Sequence, residues 1–219
     1  MSKKALIFQG GWQGHEPEEV AEVLANILEE ENFEVEITDT LETLEDEEKL
    51  STLDLIVPNW TLGQITRAQL NPLLKTVEKG CGLAGLHGGM GDSFRTETDY
   101  QFMVGGQWVA HPGDSSVEYT VRILDSNDPL TLGMKDFKVV SEQYYMHVDP
   151  AVKVHAVTRF PVADGPHAVN GEVDMPVVWT KGWGKGRVYY NSLGHSADIV
   201  RMPEVTELMR KGMLWAARS

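Results

Sequence analysis

Five consecutive residues, Gly85-Leu86-His87-Gly88-Gly89, hold the most reactive arrangement in the chain. An apolar run from Cys81 to Leu86 leads into them, and a helical pattern follows. This is the layout of a nucleophile elbow, a sharp strand-to-helix turn that lifts one side chain above the edge of a sheet. Its apex usually carries Ser or Cys, and here it carries His87. An imidazole at that point calls for acid–base or metal-assisted chemistry rather than an acyl-enzyme. Beside a helix N-terminus the imidazolium is disfavoured, so a neutral ring is expected, serving as general base or metal ligand. The structural alternative is a histidine that only caps the turn.

Further candidates are spread along the chain. His195 follows the apolar segment Arg187 to Asn191, with Asp198 close behind as a group that could orient it. His111 lies in Ala110-His111-Pro112, where Pro112 favours an extended backbone, after the close-approach pair Gly105-Gly106. Glu142 sits in the otherwise neutral run Val139 to Met146. A carboxylate among aromatics is expected to have a raised pKa and to work as acid, base or partner of an imidazole. The catalytic candidates are therefore His87, Glu142 and His195. Convergence of His15, His87, His111 and His195, with Glu142, would create a site suited to Zn²⁺, Mn²⁺ or Fe²⁺, although no local signature such as H-E-x-x-H is present. Trp12 and Trp60 follow predicted strands and, with His111, are the candidates for holding substrate. Trp179 and Trp215 lie in apolar patterns and read as core, and Cys81 reads as a small buried residue. The first loop, Gly10-Gly11-Trp12-Gln13-Gly14, lacks the spacing of a dinucleotide fingerprint.

The elements that must position these groups alternate in the first half of the chain. Strands are predicted at Lys4 to Phe8, Glu34 to Thr38, Leu53 to Val57 and up to the elbow at His87. Between them, Pro17 opens a helix with the stripe Val20, Val23, Leu24, Ile27 and Leu28, and a second helix runs from about Thr66 to Glu78, stopped by Gly80. Strands alternating with helices imply a parallel sheet covered on both faces. The second half is richer in strand patterns: Val117 to Leu124, Phe137 to His147, Val152 to Phe160, and the pair Pro176 to Trp179 and Gly186 to Tyr190 joined by a glycine-rich hairpin loop. A last helix is predicted from Pro203 to Ala217, with Val205, Leu208, Met209 and Leu214 facing inward.

Bulk properties narrow the function. With 219 residues, 42% of them hydrophobic and 24% charged, the chain is long enough for a sizeable core in one domain, residues 1–219. A net charge of −14 argues against nucleic acid or an anionic membrane as partner. Acidic residues crowd the first quarter: 16 of the 33 fall in residues 1–54, which reads as the solvated outer face of early helices. One cysteine allows no intrachain disulfide, which fits a reducing cytoplasm, and the N-terminal apolar run is too short for a signal-peptide core or a membrane span.

The motifs also occur in a telling order. The elbow is followed by Gly105-Gly106-Gln107-Trp108-Val109-Ala110-His111-Pro112, Asp128-Pro129-Leu130-Thr131-Leu132-Gly133, and Ser141-Glu142-Gln143-Tyr144. Then come Pro176-Val177-Val178-Trp179-Thr180, Gly184-Lys185-Gly186-Arg187-Val188-Tyr189-Tyr190, Leu193-Gly194-His195, and Gly212-Met213-Leu214-Trp215-Ala216-Ala217. In this order they resemble the trehalose-utilisation (ThuA-like) family over nearly the whole chain. The resemblance implies a flavodoxin-like fold of the class I glutamine amidotransferase type: a three-layer α/β/α sandwich with a mostly parallel sheet and β-rich insertions. It also implies a role in disaccharide or keto-sugar catabolism, and it is what mainly places Glu142 near the other candidates. His195 resembles in placement the triad histidine that a late strand delivers in amidotransferases. Two departures matter: family members often have His where this chain has Asp128, so no role is carried there, and the loop of His15 varies among them.

Two classes of function remain open from the sequence. One is an enzyme that moves a proton next to the carbonyl of a sugar or keto-sugar, with or without a divalent metal, leading to isomerisation or elimination. The other is a non-catalytic carbohydrate-binding or accessory protein on the same fold. Glutamine amidotransfer is disfavoured, since an imidazole cannot replace the thiolate. The expected partner is a small sugar, and a homo-oligomeric form is left open. Several histidines converging on one pocket would favour the enzyme; a shallow aromatic groove would favour binding.

Overall fold

The computed structural model describes residues 2–218. Strand β1 (Lys3–Gly11) sends Ala5 and Ile7 to one face of the sheet and Leu6 and Phe8 to the other, and all four are buried. Burial on both faces is what an apolar run in a central strand requires. Helix α1 (Pro17–Glu30) begins with Pro17 in its first turn and buries the whole predicted stripe. Strand β2 (Phe33–Thr38), helix α2 (Glu47–Ser51) and strand β3 (Leu55–Thr61) follow. Helix α3 (Arg67–Glu78) is started by a capping box in which Thr66 and Gln69 satisfy each other's backbone N–H groups. Strand β4 (Gly82–Leu86) then meets the short helix α4 (His87–Gly91) at the elbow, and α5 (Thr98–Val104) comes after it.

The next stretch is mainly β: β5 (Gly106–Ala110), β6 (Glu118–Ile123), β7 (Phe137–Val140), β8 (Tyr145–Val148), β9 (Lys153–Phe160), β10 (Val173–Trp183) and β11 (Gly186–Asn191). Helices α6 (Ala197–Val200) and α7 (Pro203–Ala216) close the chain. Nine strands form one sheet in the order β2-β1-β3-β4-β11-β10-β9-β6-β7, and β5 and β8 form a separate ribbon. Pairing is parallel from β2 through β11 and antiparallel from there to β7, so only β10 and β6 run against the common direction. The chain leaves the parallel half after β4 and returns to it at β11, beside β4. Everything between is the β-rich insertion. One apolar core lies between the sheet and α1 and α7, the other between the sheet and α3 and α5, which makes the three-layer α/β/α sandwich of a flavodoxin-like fold.

Local departures from the sequence reading have physical reasons. Phe137 to His147 is not one strand: β7 ends at Val140, β8 starts at Tyr145, and Ser141, Glu142, Gln143 and Tyr144 between them are all buried. β7 is an edge strand that alternates buried and exposed residues, and the run of buried side chains after Val140 breaks that alternation. Gln143 fixes the irregular stretch by donating to Thr158 Oγ1 and the Arg159 carbonyl, while its Oε1 accepts from Val162 N–H. The helix after the elbow stops at Gly91, as a run with three glycines would, and helical structure resumes only at Thr98. Trp60 lies within β3 rather than in the loop beyond it. Leu214 is 38% exposed, because the inward face of α7 is Val205, Leu208, Met209, Gly212, Met213 and Ala216, a phase that leaves Leu214 on the flank. Among the described residues, no helix is long and apolar enough to cross a membrane.

Candidate functional site

The parallel strands end at one edge, and their connections carry the chemistry, as expected for an open α/β sheet. After β1, a short helical turn (Gln13–His15) places His15. The β4 elbow places His87, and the segment beyond β11 places Ser192 and His195. Glu142 arrives from the insertion, through the irregular stretch between β7 and β8. The elbow is tight: His87 adopts φ 43°, in the left-handed region. Glycine is needed on its far side, since a Cβ on Gly88 would lie 2.5 Å from the His15 ring, and one on Gly89 would lie 2.5 Å from Asn59 Oδ1.

The side chains converge on one carboxylate oxygen. Glu142 Oε2 stands 3.1 Å from His87 Nε2, 3.4 Å from His195 Nδ1 and 3.7 Å from His15 Nε2. Ligand atoms of these four residues all lie within 4.8 Å of one another. His87 is 1% exposed, and its ring stacks on Tyr144 with centroids 4.0 Å apart. The outer nitrogens are held too: His87 Nδ1 is 2.8 Å from the Ser192 carbonyl, and His15 Nδ1 is 2.9 Å from Thr61 Oγ1. Tyr190 donates to the His87 carbonyl, and Tyr119 donates to the Glu142 carbonyl.

These contacts assign the protons. A carbonyl oxygen only accepts, so His87 Nδ1 carries hydrogen and donates to Ser192. In a neutral ring, Nε2 is then a lone pair aimed at a carboxylate oxygen. Two acceptors at 3.1 Å in a dry site repel unless a cation lies between them. That cation is either a proton, making imidazolium, or a metal. Burial opposes the proton, pushing the His87 pKa down to about 4 despite the pull of Glu142. Burial would by itself raise Glu142, but the three imidazoles gathered around it, His15, His195 and His87, outweigh that and hold the carboxyl well below the usual carboxylate range. This reverses the raised pKa expected from its aromatic neighbours. His195 moves up, chiefly because the Glu142 carboxylate stands beside it, 3.4 Å from its Nδ1. Neutrality of His87 thus follows from burial at the elbow, with the five-residue α4 giving at most a minor dipole effect.

A cavity of about 190 Å³ opens beside this group, lined among others by Trp12, His15, Trp108, His111 and Tyr144. His111 leaves the end of β5 with its Nε2 3.9 Å from the second oxygen of Glu142, Oε1, and its Nδ1 3.3 Å from Asp114 Oδ1. It therefore stands one step outside the four-residue group, with Glu142 in the place that a fourth imidazole would take. Trp12 is 49% exposed and meets His15 edge-on at 4.7 Å. Trp60 packs over Gly10 and Gly63 and is not among the residues lining the cavity. Asp198 pairs with Arg201 on the surface, so the carboxylate beside His195 is Glu142 instead. Asp128 belongs to a different cluster, with Lys153 and His155. Cys81 is fully buried, with burial pushing its thiol up to about 12. Several partners escaped sequence reasoning: Ser192 and Thr61, which fix ring nitrogens, and Tyr144, the stacking ring. Only Tyr144 left a signal, as the neighbour of Glu142 in one motif.

Solved structures share the whole architecture. A ThuA-like protein of Bacteroides uniformis superposes with a TM-score of 0.78 at 20% identity, covering 98% of this chain and 91% of its own. For a ThuA-like protein of Parabacteroides merdae the values are 0.76, 17%, 99% and 90%. A protein of Salmonella typhimurium described as cytoplasmic gives 0.71, 13%, 98% and 100%. These likenesses establish the fold. No curated protein matches the chain in sequence. The family model ThuA, described as trehalose utilisation, matches residues 4–216, and the chain belongs to that family.

Proposed function

We propose that this protein is an enzyme of sugar catabolism in which His15, His87, Glu142 and His195 hold one divalent metal, Zn²⁺, Mn²⁺ or Fe²⁺. The observation that carries the reading is the meeting of His87 Nε2 with Glu142 Oε2, the ring's other nitrogen being committed to Ser192. Donors around a tetrahedral ion with bonds near 2.1 Å lie roughly 3.5 Å apart. The three imidazole nitrogens stand at 3.1, 3.4 and 3.7 Å from the carboxylate oxygen, close to that spacing. Outer partners on His87 and His15 are what ligating histidines ordinarily have.

An ion held by these four residues would act as a Lewis acid only by taking a carbonyl oxygen as a fifth ligand, and it would then supply stabilisation of the negative charge that forms there when a neighbouring C–H is deprotonated. The chain supplies the rest. His111 stands on the cavity wall, outside the ligand group, with Asp114 at its back, and is placed to take the proton from carbon. Returning that proton to the former carbonyl carbon, while the neighbouring hydroxyl proton passes to the former carbonyl oxygen, completes an isomerisation; if instead the C–O bond at the β-carbon breaks as the C=C bond forms, and the departing oxygen takes up the proton, the result is an elimination. Trp12 offers an indole face at the mouth for a sugar ring. A buried group of three histidines and a glutamate beside a small cavity favours catalysis over a shallow binding groove.

The test is elemental analysis of the purified protein, followed by chelation and reloading with each metal and a screen of keto-disaccharides for loss of the carbonyl. About one divalent ion per chain, lost in His87→Gln and Glu142→Gln, supports the site. Folded protein that neither contains nor takes up any of the three metals overturns it.

A further inference from the structure

We propose that Arg95 and Trp108 form the specificity wall of the cavity, selecting a single neutral sugar ring by one fixed donor nitrogen and one aromatic face. The proposal rests on the sugar reading above, and it adds the class of sugar and the residues that choose it.

Arg95 follows the end of α4, on a connection that the sequence reading assigned no role. Its Nε donates to Asp92 Oδ1 at 2.6 Å and its Nη2 to Asp92 Oδ2 at 2.8 Å, a two-point clamp. Asp92 is itself 5% exposed and anchored. Its backbone N–H donates to the Gly88 carbonyl, and its own carbonyl accepts from Leu62 N–H. The guanidinium carbon lies 4.5 Å from the centre of the Trp108 ring. One edge of the guanidinium is thus locked by a buried carboxylate and one face is covered by an indole. Among the described residues, Nη1 donates to no other group, although Arg95, Asp92 and Trp108 all line the cavity. An arginine at a protein surface normally loses considerable side-chain entropy when it is fixed on a ligand. Here that ordering is already done, which is the property of a recognition group.

The chemistry of this wall selects the ligand. Asp92 offsets the charge of Arg95, so the free Nη1 offers hydrogen bonds without net positive charge. A hydroxyl or keto oxygen satisfies it, while a carboxylate finds no spare cation there and meets the field of a chain with net charge −14. Trp108 adds an apolar face for the C–H side of a ring. The volume of about 190 Å³ falls below the range of roughly 300–1,000 Å³ that holds drug-sized ligands. It therefore suits one ring, and the second unit of a disaccharide would project past Trp12 into solvent.

The test is calorimetric titration of glucose, trehalose and glucuronate into the whole protein, once chelated and once reloaded with Zn²⁺. In the chelated protein glucose and trehalose should bind alike, with glucuronate about tenfold weaker or more; the Zn²⁺-loaded protein is compared on glucose and trehalose alone, because the ion beside His15 would itself attract a carboxylate. Arg95→Leu leaves Asp92 buried without its partner, so the paired variant D92N/R95L is measured beside it, with thermal melting as the check on folding. Both should weaken glucose by roughly tenfold, the usual net worth of one lost hydrogen bond. Trp108→Ala should weaken it similarly, and Trp183→Phe, far from the cavity, should change nothing. Glucuronate binding as tightly as glucose to the chelated protein, full affinity in folded D92N/R95L, or no sugar binding by the wild type would each overturn the proposal. Metal content is read separately, so none of these results bears on the metal site.

Discussion

Replacing His87 by Ala and by Gly should separate its packing from its backbone strain. The side chain is 1% exposed, stacks on Tyr144 at 4.0 Å and donates to the Ser192 carbonyl at 2.8 Å. Loss of the stack costs about 0.5–1.5 kcal/mol. An unpaired buried carbonyl costs about 1–3 kcal/mol. The sum predicts that His87→Ala destabilises the metal-free protein by about 1.5–4.5 kcal/mol, more than loss of an exposed elbow residue would. Glycine should behave differently. At an ordinary position Gly is about 0.5–1 kcal/mol worse than Ala. At φ 43° a Cβ carries a penalty of roughly 1–2 kcal/mol that glycine removes. His87→Gly should therefore be at least as stable as His87→Ala. The assay is urea unfolding of chelated protein at pH 7.5, followed by tryptophan fluorescence, with equal m-values as the sign that both variants unfold from the same fold. A loss below about 1 kcal/mol for His87→Ala would refute the buried, bonded state of the ring. His87→Gly falling about 1 kcal/mol below His87→Ala would refute the strained turn.

Glu142→Gln should lower Zn²⁺ affinity by about 100-fold or more, since one oxygen of that carboxylate serves all three imidazoles; competition with a chromogenic chelator measures it. In the metal-free protein, His87 has a folded pKa near 4 against 6.5 unfolded, so the unfolded chain binds more protons between those values. The stability contributed by neutral His87 is complete above about pH 6.5 and falls as pH drops towards 4, by up to about 3 kcal/mol. Glu142, depressed, adds to the loss on the acid side, whereas His195, raised, contributes stability that is present below pH 6.5 and lost as pH rises through its folded pKa. Urea midpoints from pH 4 to 8 in chelator should rise with pH through the acid half, and His87→Gln should flatten that rise. Cys81, fully buried with its thiol pushed up to about 12, should react with a thiol reagent at pH 8 only on unfolding, and Cys81→Ser should leave turnover nearly unchanged. Fast labelling of folded protein would contradict its burial.

The sequence by itself determined the parts that local chemistry dictates. The stripe of α1, the Thr66 start of α3, the apolar central strands and the β10–β11 hairpin follow from periodicity, capping and turn residues, which act within a few positions of one another. The elbow was legible for the same reason, because Gly85, Gly88 and Gly89 surround an apex that needs close backbone approach. The inward phase of α7 was misread at Leu214, since the side of a helix that faces the sheet is set by packing. Only the tertiary structure decided how the site is assembled. Glu142 lies 55 residues from His87 in the chain, and it reaches the elbow from the irregular stretch between β7 and β8, inside the insertion between β4 and β11. Its pKa direction could not be read from aromatic neighbours in sequence, because three imidazoles from distant loops outweigh the cost of burial. Likewise Asp198 looked like the partner of His195 by proximity along the chain, yet turns to Arg201. Contacts between residues far apart in sequence leave no periodic trace, and the charge balance of this site is made entirely of such contacts.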